Sequence, residues 1–214
     1  MSLWLARIQP DQRRKEVRKD LRDIVSLHQT VMKLFPDGIG DQARRQASVL
    51  FRLDETPTGP YLLVQTRIEP DPARLSEGYG SFELRKLQPL LDALRPGLTV
   101  HYRLAGNASK RLAIVEKGRK RGRVIPLNGA EIDNWWTRRA QAAGLTVIAG
   151  RSETLDSVSG ESRRGKVRHA ITRFDGVAVV TDADAVREAV VTGIGRGKAF
   201  GCGMLSLAPA RRAG

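Results

Sequence analysis

The first half of the chain alternates apolar and polar residues over short stretches, a pattern typical of half-buried strands. The predicted strands are residues 3–8, 48–53, 61–66 and 98–104. A helix is predicted after the first strand, because apolar residues recur there three to four positions apart. These are Ile24, Leu27, Val31 and Leu34, and the pattern ends before Pro36 and Gly38. Charged residues 13–20 are interpreted as a solvated loop or the helix's first turns, and residues 69–97 stay unassigned.

The second half shows a similar mixture of patterns after a basic connector, residues 107–122. Strands are predicted at residues 124–127, 145–149, 167–181 and 204–207, and helices at residues 132–140 and 182–191. The long strand 167–181 is expected to fold about a turn at Asp175 and Gly176, because Asp-Gly is a frequent turn pair.

The order of elements in each half approximates βαββαβ, the order of the ferredoxin-like fold. We therefore predict an α+β protein made of two tandem ferredoxin-like (RRM-like) domains. The N-terminal domain, residues 1–117, would carry the helix with His28. The C-terminal domain, residues 118–214, would carry a basic hairpin and a glycine-rich loop. No sequence repeat supports the division, which rests on element order alone.

The charge balance points to a polyanionic partner. Lys and Arg number 37 against 23 Asp and Glu, a net charge of +14. Such a surplus is typical of proteins that bind nucleic acid. No apolar run approaches the ~20 residues of a membrane span, and the start does not resemble a signal peptide. Cys202 is the only cysteine, so we expect no disulfide, no cysteine-built zinc site and a cytoplasmic location.

A glycine-rich loop, residues 193–203, is the most informative segment. Gly193, Gly195 and Gly197 alternate with other residues, and Arg196 and Lys198 add positive charge. Glycine allows positive φ, and successive bare N–H groups can cradle an anion such as phosphate. The order helix, loop, strand excludes a dinucleotide fingerprint, and a Walker loop would need Ser or Thr after its lysine. The alternative is a tight connection that needs glycine only for its geometry.

Histidine is the side chain best suited to exchange protons near neutral pH. His101 is interpreted as structural, and His169, among cations, as structural or RNA-contacting. His28 lies on the amphipathic helix, with Lys33 five positions later and about half a turn off its face. Carboxylates are too scattered for two-metal hydrolysis. If the protein cuts nucleic acid, metal-free attack by the RNA 2′-hydroxyl, assisted by His and Lys, is the economical route.

Cations also cluster just before the long strand. They are Arg163, Arg164, Lys166 and Arg168. Aromatic content is only 5% and no strand carries a base-stacking motif, so stacking on single strands is not expected to dominate. A basic hairpin here would contact the phosphates and shape of an RNA stem, whereas the alternative is a solvated charged loop.

Several of these segments together resemble one family, the CasE (Cse3) endoribonucleases, which process CRISPR precursor RNA in type I-E systems. The resembling segments are residues 3–8, 27–36, 61–66 and 102–111, the glycine-rich loop and residues 205–209. The pattern Asn107-x-x-Lys110-Arg111 together with the loop is the most specific part of the resemblance.

The resemblance implies tandem ferredoxin-like domains and a CRISPR repeat hairpin as substrate, cut at the 3′ base of its stem. It implies a 2′,3′-cyclic phosphate and a 5′-hydroxyl as product ends, with no metal or cofactor. The implied partners are crRNA and other Cascade subunits, with neither membrane nor direct DNA contact. His28 matches the catalytic histidine, and Lys33 a lysine that some members place near the cleaved phosphate. The predicted RNA-binding residues are Asn107, Lys110, Arg111, Arg163, Arg164, Lys166, Arg168, Gly193, Gly195, Arg196, Gly197 and Lys198.

One position departs from the family pattern. Several members carry a tyrosine three residues before the histidine, where this chain has Val25, which cannot transfer a proton. The first hypothesis is thus an endoribonuclease that stays bound to its hairpin product in Cascade. The alternatives are a non-catalytic hairpin-binding subunit and a basic RNA chaperone without sequence preference.

Overall fold

The computed structural model describes residues 2–36, 47–113, 122–162 and 165–210, with the backbone alone for 156–158, 161–162 and 165–169. The helices are α1 (Lys15–Arg22), α2 (Ile24–Lys33), α3 (Gln88–Ala93), α4 (Ala130–Ala142) and α5 (Ala183–Thr192). The strands are β1 (Trp4–Pro10), β2 (Leu50–Asp54), β3 (Tyr61–Thr66), β4 (Gly80–Lys86), β5 (Thr99–Gly106), β6 (Ser109–Arg111), β7 (Val124–Pro126), β8 (Leu145–Ser162), β9 (Gly165–Val180) and β10 (Leu205–Pro209). Two 3-10 turns span Pro72–Arg74 and Lys198–Phe200.

The first sheet has the antiparallel order β2-β3-β1-β4. Ala6 and Ile8 of β1 point towards α1 and α2 and share one buried core with Leu27 and Val31 of α2. Most of the charged residues 13–20 belong to a separate helix, α1, which precedes α2. The fourth strand, β4, lies in the segment that the sequence left unassigned. Between β3 and β4 the chain makes only the turn Pro72–Arg74 in place of a second crossover helix.

The second sheet has the antiparallel order β10-β5-β9-β8 and packs against α4 and α5 around its own core. Its elements follow the order β5, α4, β8, β9, α5, β10, which is βαββαβ. Both sheets have the strand order of the ferredoxin-like fold, so the predicted class and the tandem arrangement are confirmed. Among the described residues, no helix is long and apolar enough to cross a membrane.

Two strands belong elsewhere than the sequence pattern predicted. The strand predicted at residues 98–104 is β5, which opens the second unit instead of closing the first. The predicted strand 124–127 becomes β7, which pairs only with β6 in a separate two-stranded ribbon. The two four-stranded sheets are therefore divided between β4 and β5, well before the boundary predicted at residue 118. Periodicity detected these strands, but the core into which Tyr102 and Leu104 pack decides their sheet.

The turn predicted at Asp175 and Gly176 is wrong, because β9 runs through both residues and pairs with β5 and β8 on either side. Gly176 is required for packing. A Cβ at this position would lie 2.6 Å from the Tyr102 hydroxyl and 2.2 Å from the Ala149 carbonyl oxygen. β8 and β9 remain paired as far as Ser162 and Gly165, which lie earlier in the sequence than Asp175.

Candidate active site and nucleic-acid interface

Helix α2 holds His28 in a fixed orientation. Asp23 caps the helix, since its Oδ1 accepts hydrogen bonds from the backbone N–H of Val25 (2.8 Å) and Ser26 (3.0 Å). Leu27, next to His28, is buried in the first core. With its N-terminus capped and its inner face packed, the helix has little freedom to rotate. The His28 side chain is half-buried beside β2.

The His28 ring lies against Phe51 of β2. Their ring centroids are 6.0 Å apart and their planes differ by 21°, a stacked arrangement. Phe51 is 0% exposed and belongs to the first core, so it is a rigid surface under the imidazole. The sequence pattern did not predict this contact, because it identifies Phe51 only as an apolar residue of a strand.

The glycine-rich loop needs glycine for its backbone conformation. Gly193, Gly195, Gly197, Gly201 and Gly203 have φ values of 75°, 82°, 74°, 78° and 91°. These lie in the region that side chains with a Cβ rarely adopt. The loop is closed by a hydrogen bond from the N–H of Ile194 to the carbonyl of Gly203 (2.8 Å). It is tied to β5 by a bond from the N–H of Gly203 to Ala105 (2.7 Å).

The structure brings this loop to the His28 ring. The turn Lys198–Phe200 contacts both α2 and β2, and Phe200 packs against the first core. A Cβ at Gly201 would lie only 3.6 Å from Cε2 of Phe51. The ring of Phe51 therefore stacks with His28 and lies close to Gly201 of the loop. His28 and the glycine-rich loop, which are far apart in sequence, therefore both lie beside Phe51.

The loop offers several free donors. Among the described residues, the N–H groups of Gly195, Arg196 and Gly197 donate to no protein acceptor, and the Arg196 side chain is exposed. Lys198 also has a partner within the protein. Its Nζ donates to the carbonyl of Thr192 at 2.6 Å and so caps the C-terminus of α5. Lys198 keeps its positive charge in this position, and Arg196 is the more exposed of the two cations.

Lys33 does not face the same way as His28. Five residues along a helix correspond to a rotation of about 140°. Lys33 is exposed and lines a small groove with Ser26, Ser76 and Tyr79, while His28 stacks on Phe51. The two predicted catalytic residues therefore lie in different surroundings, Lys33 in this groove and His28 against Phe51.

The three residues of the pattern Asn107-x-x-Lys110-Arg111 lie in two different places. Asn107 is next to the loop: its Cβ is 3.7 Å from where a Cβ of Gly197 would lie, and its Nδ2 donates to Ala170 O at 2.8 Å. Lys110 and Arg111 are on the exposed ribbon of β6 and β7. Lys110 forms an ion pair with Glu131, and Arg111 Nη1 donates to the carbonyl of Gly122 at 2.6 Å.

The basic hairpin is formed by β8 and β9, which pair from Leu145 and Val180 out to Ser162 and Gly165. Lys166 and Arg168 pair through the backbone with Glu161 and Ser159, and Arg163 and Arg164 lie outside the described residues. The hairpin passes the start of α2. A Cβ at Gly160 would lie 2.6 Å from Asp23 Oδ1 and 2.8 Å from Val25 Cγ2. It therefore approaches the helix that carries His28.

Two further residues bear on the site. Arg22, which the sequence analysis did not single out, is exposed and lines a cavity of about 460 Å³ with Phe200 and Gly201. Cys202 is 0% exposed, and burial raises the pKa of its thiol to about 12, so it stays protonated and packs as a small apolar group. His101, interpreted as structural, has an exposed side chain on β5.

Comparison with known proteins shows the family of this chain. A family model described as CRISPR associated protein matches residues 3–209. CRISPR-associated endoribonuclease Cse3 of Thermus thermophilus is 30% identical over 97% of this chain and 100% of its own length. CRISPR system Cascade subunit CasE of Escherichia coli is 32% identical over 88% of this chain and 93% of its own.

Solved structures show the same likeness. Thermus thermophilus Cse3 bound to an RNA representing a pre-cleavage complex matches with a TM-score of 0.82 at 29% identity, covering 98% of this chain and 100% of that one. A chain of a CRISPR RNA-guided surveillance complex in a pre-nicking state matches with a TM-score of 0.70 at 38% identity, covering 97% and 100%. The chain belongs to the CRISPR-associated Cse3/CasE family, as its sequence resemblance predicts.

Proposed function

We propose that this protein is a metal-independent endoribonuclease that cuts the repeat hairpin of CRISPR precursor RNA. The observation that carries the proposal is the common contact of His28 and the glycine-rich loop with Phe51. A group that transfers protons and a set of bare N–H donors then lie on the same side of the molecule. The Cse3 relative is named an endoribonuclease and its solved structures hold RNA.

The reaction is a transesterification within the RNA. The 2′-oxygen attacks the adjacent phosphorus and the bond from phosphorus to the 5′-oxygen breaks, which leaves a 2′,3′-cyclic phosphate and a 5′-hydroxyl. One proton leaves the 2′-hydroxyl and one is delivered to the departing oxygen, and His28 is the group placed to transfer one of them. The N–H groups of Gly195, Arg196 and Gly197, with the guanidinium of Arg196, would bind the charged phosphate oxygens.

RNA binding extends over a wider surface than the site. The basic hairpin of β8 and β9 would lie along the stem, while Asn107 supports the loop beside it. The net charge of +14 favours phosphate contacts throughout. After cleavage the protein keeps the hairpin and remains in the cytoplasm as a Cascade subunit, in line with its likeness to a chain of a surveillance complex.

A second function is favoured by one specific observation. Val25 replaces the tyrosine of several family members, and Lys33 lines a different groove from the His28 ring. No second proton-transfer group is therefore supplied by α2. A hairpin-binding subunit without catalysis would have the same fold, the same loop and the same basic surface.

Cleavage assays separate these functions. The protein is incubated with a CRISPR-repeat hairpin in EDTA, beside the same hairpin with a 2′-deoxy sugar at the cut site. We expect cleavage of the first and none of the second. His28→Ala should lose cleavage, typically by 10²–10⁴-fold, while binding the deoxy hairpin as wild type does. An intact hairpin with wild-type protein would support the binding subunit, and cutting by His28→Ala would refute the role of His28.

A further inference from the structure

Strand β2 contacts both parts of the proposed site. Successive side chains on a strand point to opposite faces. Phe51 points towards α2 and carries the His28 ring, whereas the next residue, Arg52, points towards the second sheet. Neighbouring positions of one strand therefore reach the histidine and the unit that holds the glycine-rich loop.

Arg52 is buried at this junction, with 3% exposure. Its Nε donates to both oxygens of Asp54, at 3.0 and 2.9 Å. Its Nη1 crosses to the second unit and donates to Ser206 Oγ at 2.9 Å and to the carbonyl of Met204 at 3.3 Å. Met204 directly follows the loop, so the guanidinium fastens the end of the loop to β2.

The beginning of the loop touches the same strand. A Cβ at Gly193 would lie 2.9 Å from both Cδ atoms of Leu50. Leu50 thus lies against the start of the loop, Phe51 lies close to Gly201 near its end, and Arg52 binds the residues that follow it. This short stretch of β2 therefore helps to position the loop relative to His28, together with the hydrogen bond from Gly203 to Ala105 of β5.

The choice of arginine is informative. A buried ion pair is seldom more stable than apolar residues of the same size, so Arg52 and Asp54 are not explained by stability alone. A guanidinium offers several donors in a rigid plane and can bind a carboxylate and a backbone carbonyl together, which lysine cannot do as well. We propose that Arg52 is a positioning residue, which keeps the glycine-rich loop in register with His28; the proposal rests on the proposed function.

The expected effect falls on the cleavage step. Loss of Arg52 would let the end of the loop move by a fraction of an ångström to about an ångström against His28, and such misplacement slows catalysis by roughly 10–10²-fold. The affinity for the hairpin should stay within about threefold, because the phosphate contacts of the basic hairpin and of Arg196 do not involve Arg52.

The test measures two quantities for each variant. One is the single-turnover cleavage rate constant with protein in saturating excess, and the other is the Kd for the 2′-deoxy hairpin, whose binding stoichiometry also gives the folded fraction. Arg52→Met should show the slower rate at nearly unchanged Kd. Arg52→Lys, which keeps the charge beside Asp54 and one donor, should recover part of the rate. If Arg52→Met fails to fold, Arg52→Met with Asp54→Asn takes its place, since it leaves no buried unpaired carboxylate.

Gln65→Met is the matched control. Gln65 is 2% exposed, and its Nε2 also crosses between the units, but it donates to the carbonyl of Val190 of α5 at 2.7 Å and not to residues 204–206. Its cleavage rate should stay within threefold of wild type. Wild-type rates in the Arg52 variants, or an equal fall in Gln65→Met, would overturn the positioning role. Failure of wild type to cleave, or cleavage by His28→Ala, would instead overturn the proposed function.

Discussion

Replacing Phe51 with leucine should slow RNA cleavage without weakening RNA binding, because the Phe51 ring is the surface against which His28 rests. Leucine keeps most of the volume of the buried side chain but lacks the flat face. The His28 imidazole then loses its stacking partner, 6.0 Å away between centroids. The loop also loses the aromatic ring close to Gly201, which lies 3.6 Å from where a Cβ at that position would be.

The magnitude follows from the burial of the ring. A buried Phe→Ala change costs about 3–5 kcal/mol, and a change to leucine, which nearly preserves volume, about 1–1.5 kcal/mol. The lost ring pair adds about 0.5–1.5 kcal/mol. We therefore expect Phe51→Leu to lower the free energy of unfolding by about 2 kcal/mol. A shift of His28 by about 1 Å should lower the cleavage rate by up to about 10²-fold.

The assay compares Phe51→Leu with Phe35→Leu. Phe35 is 2% exposed and belongs to the same core, but it has no ring contact with His28. Urea unfolding gives the stability of each variant, and single-turnover cleavage at saturation gives its rate. Phe35→Leu should lose about 1 kcal/mol of stability and keep its rate. Equal cleavage rates in the two variants would show that His28 does not depend on Phe51.

Two further predictions concern stability at high pH and RNA affinity. Tyr79 donates a 3.0 Å hydrogen bond to buried Asp20, so Tyr79→Phe should lower unfolding free energy at pH 7 by about 1–3 kcal/mol in urea titrations. Burial and the Asp20 charge raise the pKa of Tyr79 well above 10.0. The contribution of Tyr79 to the free energy of unfolding is therefore complete below pH 10 and falls above it. A difference in unfolding free energy between wild type and Tyr79→Phe that stays constant to about pH 11 would contradict this. Arg196→Gln should reduce the slope of log affinity against log salt concentration by about one, measured with the deoxy hairpin. Lys198→Gln should mainly lower the free energy of unfolding, because the Nζ of Lys198 caps α5. Identical slopes in the two variants would refute the distinction.

Helices α2, α4 and α5 could be predicted closely from the sequence, whereas α1 was interpreted as a loop or the first turns of a helix and α3 lies in the unassigned segment. The apolar spacing of Ile24, Leu27 and Val31 and the cap residues Asp23 and Asp182 are local features, because helix hydrogen bonds join residues only four apart. The order of helix, glycine loop and strand near the end of the chain is correct for the same reason. The unusual φ values of the loop glycines are properties of the residue type itself.

Sequence periodicity predicts the strands themselves better than it predicts which strands pair with one another. Edge strand β4 has mostly exposed or half-buried residues, so its apolar signal is weak. β5 has a clear pattern but joins the second sheet, because strand pairing joins residues distant in sequence and is decided by the core that both strands cover. The two sheets therefore divide between β4 and β5, earlier in the chain than residue 118.

The sequence by itself determined the residue types of this protein: a histidine on a capped amphipathic helix, a loop that only glycines can form, and a large excess of positive charge. Tertiary structure decided which of them meet. In the folded protein Phe51 lies beside both His28 and Gly201. Lys33 lines a different groove, and the Nζ of Lys198 donates to the last carbonyl of α5. These contacts join residues from different elements and both sheets, and no local periodicity carries the information that brings them together.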